Sequence, residues 1–570
     1  MSGLRAREIE ARVNSYEGLR DSFRWQVPER FNIGFAACDR HAADPERAAR
    51  VALVFEDHAG HVSEFTFAEL KRQSDRLALV LAARGLRRGD RFAILLPQQL
   101  ETGVAHLAAY KLGLIALPLT VLFRQDALRY RLENSGAQGI ITSLEMLPLL
   151  ETLLPDLPQL HTVILADAPS APPDTLAGVT LLTYAWAREQ SRGGFQSVDT
   201  HADDPAVLIY TSGTTGNPKG ALHAHRVLIG HLPGFELSHD FLPQPGDRFW
   251  TPADWAWIGG LMDALLAAWY HAVPMVAYRG PGGFDPERAF WLMSRQGVRN
   301  AFIPPTALKM MAQVPEPLTR NPCALRSIMS GGEALGAETL AWAENTLGVR
   351  INEIYGQTEI NYIVGNCAPL WPVRPGSMGR PYPGHTVAVV DASGTPVPPG
   401  VVGEIAVRRD NDPVFFLEYW NQPRATREKF IGPWGLTGDL AECDPEGYLW
   451  FKGRKDDVII SAGYRIGPAE VEAALQRHPA VGLAAVVASP DPVRGHIVKA
   501  FVRPRPGFSP TPELAVEIQN FVKERLARHE YPREIEFLQE FPLTTTGKIR
   551  RKDLRTLEET RKGEKGAFPE

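Results

Sequence analysis

Residues 210–220 read YTSGTTGNPKG, and this stretch directly follows the apolar run Ala206–Ile209. A buried strand that opens into a loop rich in glycine and hydroxyl groups suits a polyphosphate, because glycine lets several backbone N–H groups approach one anion. The loop lacks the GxxxxGK[ST] order of a Walker loop but keeps hydroxyl and lysine donors. From composition alone, a flexible surface loop is the alternative. The predicted phosphate-binding residues are Thr211, Ser212, Gly213, Thr214, Thr215, Gly216 and Lys219.

Strands and helices alternate on both sides of this loop. Val51–Phe55 and Arg91–Leu96 read as strands, and Thr66 followed by Glu69 has the spacing of a capping box at a helix start. This alternation predicts layered α/β structure with largely parallel sheets. Residues 168–204, rich in proline, glycine, serine and aspartate, predict a surface connection, and residues 396–409 predict a small barrel or hairpin.

A second, smaller α+β unit is predicted from residue 457 onward. A helix should begin after Gly467 with Pro468 in its first turn, strands should cover residues 483–488 and 497–503, and a further helix should start at Thr511. The charged last fifteen residues, 556–570, predict a disordered tail.

Bulk composition narrows the class of protein. At 570 residues the chain exceeds what one core usually serves, and 22% charged residues with a net charge of −5 give no indication of nucleic-acid binding. The four cysteines are scattered without a CxxC pair, which favours a reducing cytoplasm over a disulfide or zinc framework. The charged N-terminus has no apolar signal core, and the apolar stretch 258–278 is interrupted by Asp263, His271 and Pro274. We therefore expect a soluble cytoplasmic protein without a membrane partner.

Six further motifs follow the loop in a fixed order. They are Ser330–Glu333 (SGGE), Tyr355–Glu359 (YGQTE), Thr437–Asp439 (TGD), Gly453–Asp457 (GRKDD), Ser461–Arg465 (SAGYR) and Pro542–Lys548 (PLTTTGK). Together they resemble the adenylate-forming superfamily, and residues 117–143 resemble its acetyl- to medium-chain acyl-CoA synthetases most. The resemblance covers residues 50–555. It implies a large adenylation domain (1–455) of layered α/β subdomains plus a small barrel, and a mobile α+β lid domain (456–555).

The resemblance also implies a reaction in which ATP, a carboxylate and CoA give acyl-CoA, AMP and pyrophosphate. Two anions must approach each other in its first step, so a cation between them is needed. By resemblance this cation is Lys548, although a solvated lysine in a basic turn is the alternative. Glu359 is expected to bind Mg²⁺ together with phosphate oxygens, and Thr358 to donate to a phosphate.

The nucleotide's base and sugar have their own predicted residues. Asp439 offers two acceptor oxygens for the ribose hydroxyls, and the resemblance places Arg454 beside it. The adenine slot is predicted from Gly332, Glu333, Tyr355, Gly356 and Gln357, with Glu353 preceding Tyr355, whose ring should stack on the base.

The remaining implied roles concern CoA, the hinge and the acyl group. Asp456 is expected to be the hinge of the lid, and CoA is expected to contact Gly463, Tyr464, Arg465 and Arg533. The acyl pocket is predicted from Trp255, Trp257 and Gly356, although both tryptophans also suit a plain core. Because acetate-specific relatives carry tryptophan in place of Gly356, the glycine predicts empty volume and a preference for acids longer than acetate. His223 and His225 are interpreted as hydrogen-bonded structural histidines.

Two other functions compete with this interpretation. One is a stand-alone adenylation enzyme that loads an acyl carrier protein, and CoA-thioester release would distinguish it. The other is a non-catalytic homologue, against which the intact Lys548, Glu359, Asp439 and Arg454 argue. Acetylation of Lys548 would remove its charge and is a possible regulatory modification.

Overall fold

The computed structural model describes residues 15–190, 193–211, 218–280, 282–333, 335–455, 457–461, 464–491, 495–526, 530–544 and 548–566. The chain forms two compact units. The first comprises Met1–Pro375, Gly379–Thr386 and Arg408–Pro433, and the second comprises Gly376–Met378, Val387–Val407 and Trp434–Glu570. Residues 434–455 thus group with the C-terminal part of the chain, and the domain boundary at 455/456 stays a prediction.

The first unit contains a mixed sheet with a parallel centre. Its strands within the described ranges are, in spatial order, Arg380–Pro381, Ile360–Gly365, Ile351–Gln357, Ser327–Gly331, Asn300–Phe302, Phe249–Trp250, Met275–Tyr278, Val51–Glu56 and Val62–Thr66. The inner strands are parallel, whereas the pairs at both edges are antiparallel. The order brings the ends of Ser327–Gly331 and Ile351–Gln357 side by side.

A second sheet of the same unit carries the phosphate loop. Its strands in the described residues run in the order Glu418–Tyr419, Lys219–Ala224, Pro205–Thr211, Ile115–Leu119, Arg91–Leu95, Gly139–Thr142, Thr162–Leu165, Val179–Thr183 and Asp174–Leu176. The central strands are parallel and buried on both faces; every residue of Ile115–Leu119 is buried. Continuous apolar runs are what such strands require. The predicted α/β class is confirmed.

Helices connect these strands, and local capping chemistry sets several of their ends. At the start of Phe67–Ala83, the Glu69 N–H donates to Thr66 Oγ1 at 3.2 Å and the Thr66 N–H donates to Glu69 Oε2 at 2.9 Å, so the predicted capping box is confirmed. The other helices of this unit are Tyr16–Ser22, Phe35–Asp39 (π), Arg40–Ala42, Pro45–Ala48, Leu100–Leu112, Gln125–Ser135, Leu147–Glu151, Leu154–Asp156 (3-10), Tyr184–Gln190, Val227–Ser238, Ile258–Gly260, Leu261–Leu266 (π), Ala267–Tyr270, Pro286–Arg295, Pro305–Met311, Pro317–Arg320, Ala337–Trp342, Ala343–Leu347 (π) and Pro423–Glu428. A short strand, Phe430–Ile431, follows the last of them.

The second unit combines three sheets with three helices in its described part. Val387–Val390, Gly403–Arg408, Trp434–Cys443 and Leu449–Arg454 lie side by side, which fits the expected small barrel or hairpin. Ile459–Ser461 pairs with Tyr464–Ile466, and Val481–Asp491, Gly495–Pro504 and Glu534–Phe537 form a three-stranded sheet. The helices are Pro468–Gln476, Pro512–Lys523 and Arg551–Gly566. The predicted helix starts at Pro468 and after Thr511 are confirmed.

Two local predictions are wrong. Residues 168–204 are not a plain surface connection, because Asp174–Leu176 and Val179–Thr183 extend the second sheet and Tyr184–Gln190 is helical. Residues 556–566 are not disordered but continue the helix Arg551–Gly566, whose Leu554 and Glu558 are each 1% exposed. In the part of the chain that is described, no helix combines the length and apolarity that crossing a bilayer requires.

Candidate active site

The predicted phosphate loop joins two antiparallel strands of the first unit. Pro205–Thr211 pairs with Lys219–Ala224, and Thr211 lies opposite Lys219. Ser212, Gly213, Thr214, Thr215 and Gly216 lie outside the described residues. At the described end of the loop, Lys219 Nζ lies 5.1 Å from the centroid of the Tyr419 ring. The strand pairing therefore holds the predicted phosphate lysine against an aromatic face.

Glu359 lies with Thr358 in the turn between Ile351–Gln357 and Ile360–Gly365, and its side chain is buried. The Tyr419 hydroxyl donates to Glu359 Oε1 at 2.5 Å, and the Phe416 N–H donates to the Glu359 carbonyl at 3.0 Å. Glu359 Oε2 accepts no hydrogen bond from any residue that the structure describes. One carboxylate oxygen is thus fixed and the other is available, which fits a cation that takes a single protein ligand and phosphate oxygens.

Tyr419 was not foreseen from the sequence. The Leu417 N–H donates to the Leu222 carbonyl and the Trp420 N–H to the Gly220 carbonyl, each at 2.7 Å. This pairing places Tyr419 between Lys219 and Glu359. No local signal in LEYWNQ marks the residue, because its partner Glu359 is 60 positions away.

The predicted adenine residues come from two neighbouring strands. Gly331 lies opposite Ile354, so Gly332 and Glu333 leave the sheet beside Tyr355. Glu333 Oε2 accepts from the Thr306 hydroxyl at 3.0 Å, and Gln357 Oε1 accepts from Lys429 Nζ at 3.1 Å. The structure therefore brings Gly332, Glu333 and the Tyr355–Gln357 segment together at the carboxyl ends of two neighbouring parallel strands.

Glu353 lies on the same strand as Tyr355 and is buried. Burial raises the pKa of Glu353 to about 7, while the Leu335 N–H, which donates to Oε1 at 3.4 Å, opposes the shift. Burial thus favours the protonated carboxyl group, which can donate a hydrogen bond as well as accept one.

The expected empty volume at Gly356 is wrong. A Cβ atom at Gly356 would lie 2.3 Å from Asn361 Oδ1, 3.0 Å from Asn361 Cα and 3.0 Å from the Tyr362 nitrogen. The hairpin between Ile351–Gln357 and Ile360–Gly365 folds Asn361 across the glycine. A tryptophan at position 356 has no room in this backbone while Asn361 stands beside it.

The two tryptophans of the predicted acyl pocket differ in burial. Trp255 is 1% exposed, which fits the alternative that it belongs to the core. Trp257 precedes the helix Ile258–Gly260, is half-buried, and packs edge-on against Phe123 with 6.1 Å between ring centroids. Only Trp257 therefore keeps exposed surface that an acyl group could contact.

His223 and His225 are both buried, and burial lowers the pKa of each to about 3. His225 Nδ1 accepts from the Ile33 N–H at 3.2 Å. The backbone of Thr358 lies beside His223, but neither nitrogen of that ring reaches hydrogen-bond geometry with the described residues. His225 is the hydrogen-bonded structural histidine that was expected, whereas His223 is buried and neutral without being hydrogen-bonded.

The predicted ribose residues meet within the second unit. Asp439 and Arg454 are register partners of the strands Trp434–Cys443 and Leu449–Arg454. Arg454 Nη1 donates to Asp439 Oδ1 at 3.3 Å, and the Asp439 N–H donates to Thr437 Oγ1 at 3.1 Å. Gly438, inside the strand Trp434–Cys443, takes a φ of +78°, which glycine adopts without strain. The geometry holds Asp439 as an oriented carboxylate.

Lys548 is exposed. Its N–H donates to Thr544 Oγ1 at 3.0 Å, and the Thr544 N–H donates to the Lys548 carbonyl at 2.7 Å. The backbone around the predicted catalytic lysine is thereby fixed on both sides, while its side chain extends from the surface of the second unit.

The predicted hinge and CoA residues are only partly described. Asp456 and Gly463 lie outside the described residues. The backbone of Tyr464 and Arg465 forms part of the strand Tyr464–Ile466. Arg533 is half-buried, its N–H donates to the Val498 carbonyl at 2.8 Å, and its guanidinium lies 5.1 Å from the Tyr531 ring centroid. Across the described ranges, no group of three or more histidine, cysteine or acidic side chains is arranged to hold a metal ion.

A glycine- and hydroxyl-rich sequence between two strands and a buried carboxylate with one available oxygen fit an ATP-using enzyme of α/β class. The family model of AMP-binding enzymes matches residues 39–420, and that of the AMP-binding enzyme C-terminal domain matches residues 470–548. The chain belongs to the AMP-binding enzyme family.

Known relatives narrow the class further. The chain is 36% identical to acetyl-coenzyme A synthetase of Bacillus subtilis, over 98% of this chain and 97% of that protein. It is 36% identical to human mitochondrial acyl-coenzyme A synthetase ACSM4, over 93% of this chain and 91% of that protein. The crystal structure of the anthranilate CoA ligase AuaEII in complex with anthranoyl-AMP superposes with a TM-score of 0.83 and 28% identity, covering 94% and 99% of the two chains. The chain is an AMP-forming acyl-CoA ligase that acts through an acyl adenylate.

Proposed function

We propose that the enzyme activates a short- to medium-chain carboxylate, including branched or aromatic acids, and transfers it to CoA. A carboxylate oxygen attacks the α-phosphorus of ATP and pyrophosphate leaves. The CoA sulfur then attacks the acyl carbon, AMP leaves and the thiol proton is released. One relative is an acetyl-coenzyme A synthetase and another is an acyl-coenzyme A synthetase, and these names support this range of substrates.

We assign the first step to residues of the predicted motifs. The phosphate loop, with Lys219 at its described end, binds the phosphates of ATP, and Glu359 binds the Mg²⁺ that enters with the nucleotide. Asp439 and Arg454 hold the ribose, and Glu353 with Tyr355 faces the adenine. Lys548 neutralises the approaching anions. The observation that carries the proposal is Glu359, with Oε1 held by Tyr419 and Oε2 available.

The Lys548→Ala variant tests the assignment of the catalytic cation. Pyrophosphate exchange should fall by a factor that corresponds to about 3–4 kcal/mol of transition-state stabilisation. Thiolation of a preformed acyl adenylate should stay near the wild-type rate, because only the first step joins two anions. Acetylating Lys548 should have the same effect, since it removes the same charge.

Lys552→Ala is the matched control, because Lys552 is an exposed lysine of the same basic segment. Its exchange rate should match the wild type. If Lys548→Ala exchanges pyrophosphate as fast as this control, Lys548 is a surface lysine and the assignment is wrong. A carboxylate panel run with CoA or with a carrier protein separates the proposed ligase from a carrier-loading enzyme.

Further proposals concern the CoA contacts, the acyl pocket and the cellular compartment. Gly463, Tyr464, Arg465 and Arg533 are proposed CoA contacts, and Trp257 is a proposed wall of the acyl pocket. The scattered cysteines, all free, support a reducing cytoplasm as the compartment.

A further inference from the structure

Asn361 occupies the space beside Gly356. Its Oδ1 lies 2.3 Å from the point where a Cβ atom of residue 356 would stand. Residues 355–358 are half-exposed, whereas Asn361 is 4% exposed. The Asn361 amide is therefore a buried polar group at the border of an open segment.

The orientation of this amide is fixed by two buried partners. Asn361 Nδ2 lies 2.8 Å from each carboxylate oxygen of Asp263 and 3.3 Å from His231 Nε2. His231 Nδ1 lies 2.7 Å from the Val227 carbonyl, which can only accept, so Nδ1 carries the proton and Nε2 is an acceptor. Both acceptors require the NH₂ group of Asn361, so Oδ1 must point toward Gly356. That oxygen accepts no hydrogen bond from the described part of the chain.

The backbone next to Asn361 is equally constrained. Tyr362 has a φ of +95°, a conformation that a bulky side chain rarely adopts, and it is fully buried. Its hydroxyl forms a hydrogen bond with Ser238. A residue held in such a conformation persists only where its surroundings determine it. Asn361 therefore cannot withdraw by a small backbone movement, and its amide is a rigid wall.

We propose that Asn361 closes the acyl pocket beside Gly356 and shifts the enzyme's preference toward the shortest acids of the proposed range. This inference rests on the proposed function. A rigid pocket discriminates against one surplus methylene by about 10- to 200-fold. With the Asn361 amide in place, we expect propionate and butyrate to be used better than octanoate. On this inference residue 361, rather than residue 356, sets the preferred chain length.

The test compares wild type with Asn361→Ala and Asn361→Ser. The kcat/KM values for propionate, butyrate, hexanoate and octanoate are measured, together with inhibition by propionyl- and octanoyl-sulfamoyl adenosine, which reports binding without catalysis. Wild type should prefer butyrate or propionate to octanoate. Each variant should raise the octanoate-to-propionate ratio at least about tenfold in both measurements. The serine variant keeps a hydroxyl donor toward Asp263 in case alanine does not fold.

Asn352→Ala is the matched control. Asn352 is a fully buried asparagine whose Nδ2 donates to the Ser238 carbonyl at 2.8 Å and to Asp240 Oδ1 at 2.9 Å. Its variant should leave the ratio unchanged. A wild type that prefers octanoate, or an unchanged ratio in folded Asn361 variants, overturns the inference. Absence of pyrophosphate exchange with every acid in wild type refutes the proposed function instead.

Discussion

Tyr419 lies between Glu359 and Lys219, the two charged groups of the proposed nucleotide site in the first unit. Its hydroxyl donates to Glu359 Oε1, and its ring faces Lys219 Nζ. A hydrogen bond to a charged group contributes about 1.5–3 kcal/mol. Because its hydroxyl is bonded to Glu359 Oε1, we infer that Tyr419 acts by positioning the Glu359 carboxylate.

The Tyr419→Phe variant should therefore bind MgATP more weakly. Loss of the hydroxyl frees the Glu359 carboxylate to rotate, and about 1.5–3 kcal/mol corresponds to a tenfold or larger rise in the dissociation constant. Calorimetric titration with MgATP, and with ATP in the absence of Mg²⁺, measures the effect. Only the titration with Mg²⁺ should change.

Tyr184→Phe provides the control for that variant. The Tyr184 hydroxyl is also buried and donates to Gln73 Oε1 at 2.7 Å. The control should lose stability without losing affinity for MgATP. Equal affinities for MgATP in wild type and Tyr419→Phe would contradict the positioning role.

Glu353 gives a pH-dependent prediction at the same scale. Its folded pKa is raised to about 7 from 4.5, so its stabilising contribution is complete below pH 4.5 and is lost as pH rises through 7. In this window wild type should lose about 1.4 kcal/mol of unfolding free energy per pH unit relative to Glu353→Gln. Urea unfolding of both proteins at several pH values checks this. A difference that stays constant between pH 5 and 7.5 would contradict it.

Residues that belong to recognisable motifs could be predicted from the sequence. A residue whose role depends only on a contact made by folding could not. Asp439 and Arg454 belong to recognisable motifs, and the structure pairs them as expected. Asn361 follows the YGQTE motif by only two positions, but its effect on Gly356 depends on how a hairpin folds. Absence of a side chain at a glycine does not predict empty space, because any neighbouring residue can fill it.

At the scale of secondary structure, the helix Arg551–Gly566 is tied to the second unit by charges. Glu558 is buried and accepts from Lys499 Nζ at 2.6 Å and from the Ser489 hydroxyl at 2.8 Å. Arg551 makes two bonds to Glu472, at 2.6 and 3.0 Å. The sequence predicted disorder here because lysine and glutamate dominate, and composition does not show which charges find buried partners.

Removing residues 556–570 should therefore destabilise the sheet under this helix. Breaking a buried ion pair by deleting one partner costs about 3–5 kcal/mol. Hydrogen exchange in the strands Val481–Asp491 and Gly495–Pro504 should accelerate accordingly. Removing only residues 567–570 leaves these ion pairs intact and should not change the exchange. Equal exchange rates in the two truncated proteins would show that the helix does not stabilise the sheet.

The remaining elements show which local sequence patterns are sufficient to predict a helix or a strand. The capping box at Thr66 and the N-terminal Pro468 gave correct helix starts, because their chemistry is local. The strands Asp174–Leu176 and Val179–Thr183 were missed because turn-forming residues surround them and their stability comes from pairing with a distant sheet edge.

At the scale of the whole molecule, the proposed reaction has two half-reactions, adenylation and thiolation. The predicted hinge is the residue that should permit the change from the first to the second. The segment around the predicted hinge is anchored on both sides. The Lys455 N–H donates to the Gly438 carbonyl at 2.8 Å, and the Asp457 N–H donates to the Arg454 carbonyl at 3.0 Å. Asp457 also forms an ion pair with Arg555. Since both of its neighbours are bonded, Asp456 stays the proposed hinge residue.

Asp456→Pro should separate the two half-reactions, because proline fixes φ near about −65° and a hinge must change φ or ψ. We expect pyrophosphate exchange with a short acid to continue near the wild-type rate while acyl-CoA formation collapses. Asp456→Ala is the matched control: it removes the same carboxylate but keeps φ free, so both activities should persist. Stopped-flow measurement of each half-reaction gives the two rates. If proline slows both half-reactions equally, the substitution has damaged the fold or the nucleotide site. If it slows neither, the change of conformation takes place elsewhere, and the N-terminal edge of residues 434–455, which group with the second unit, becomes the next segment to test.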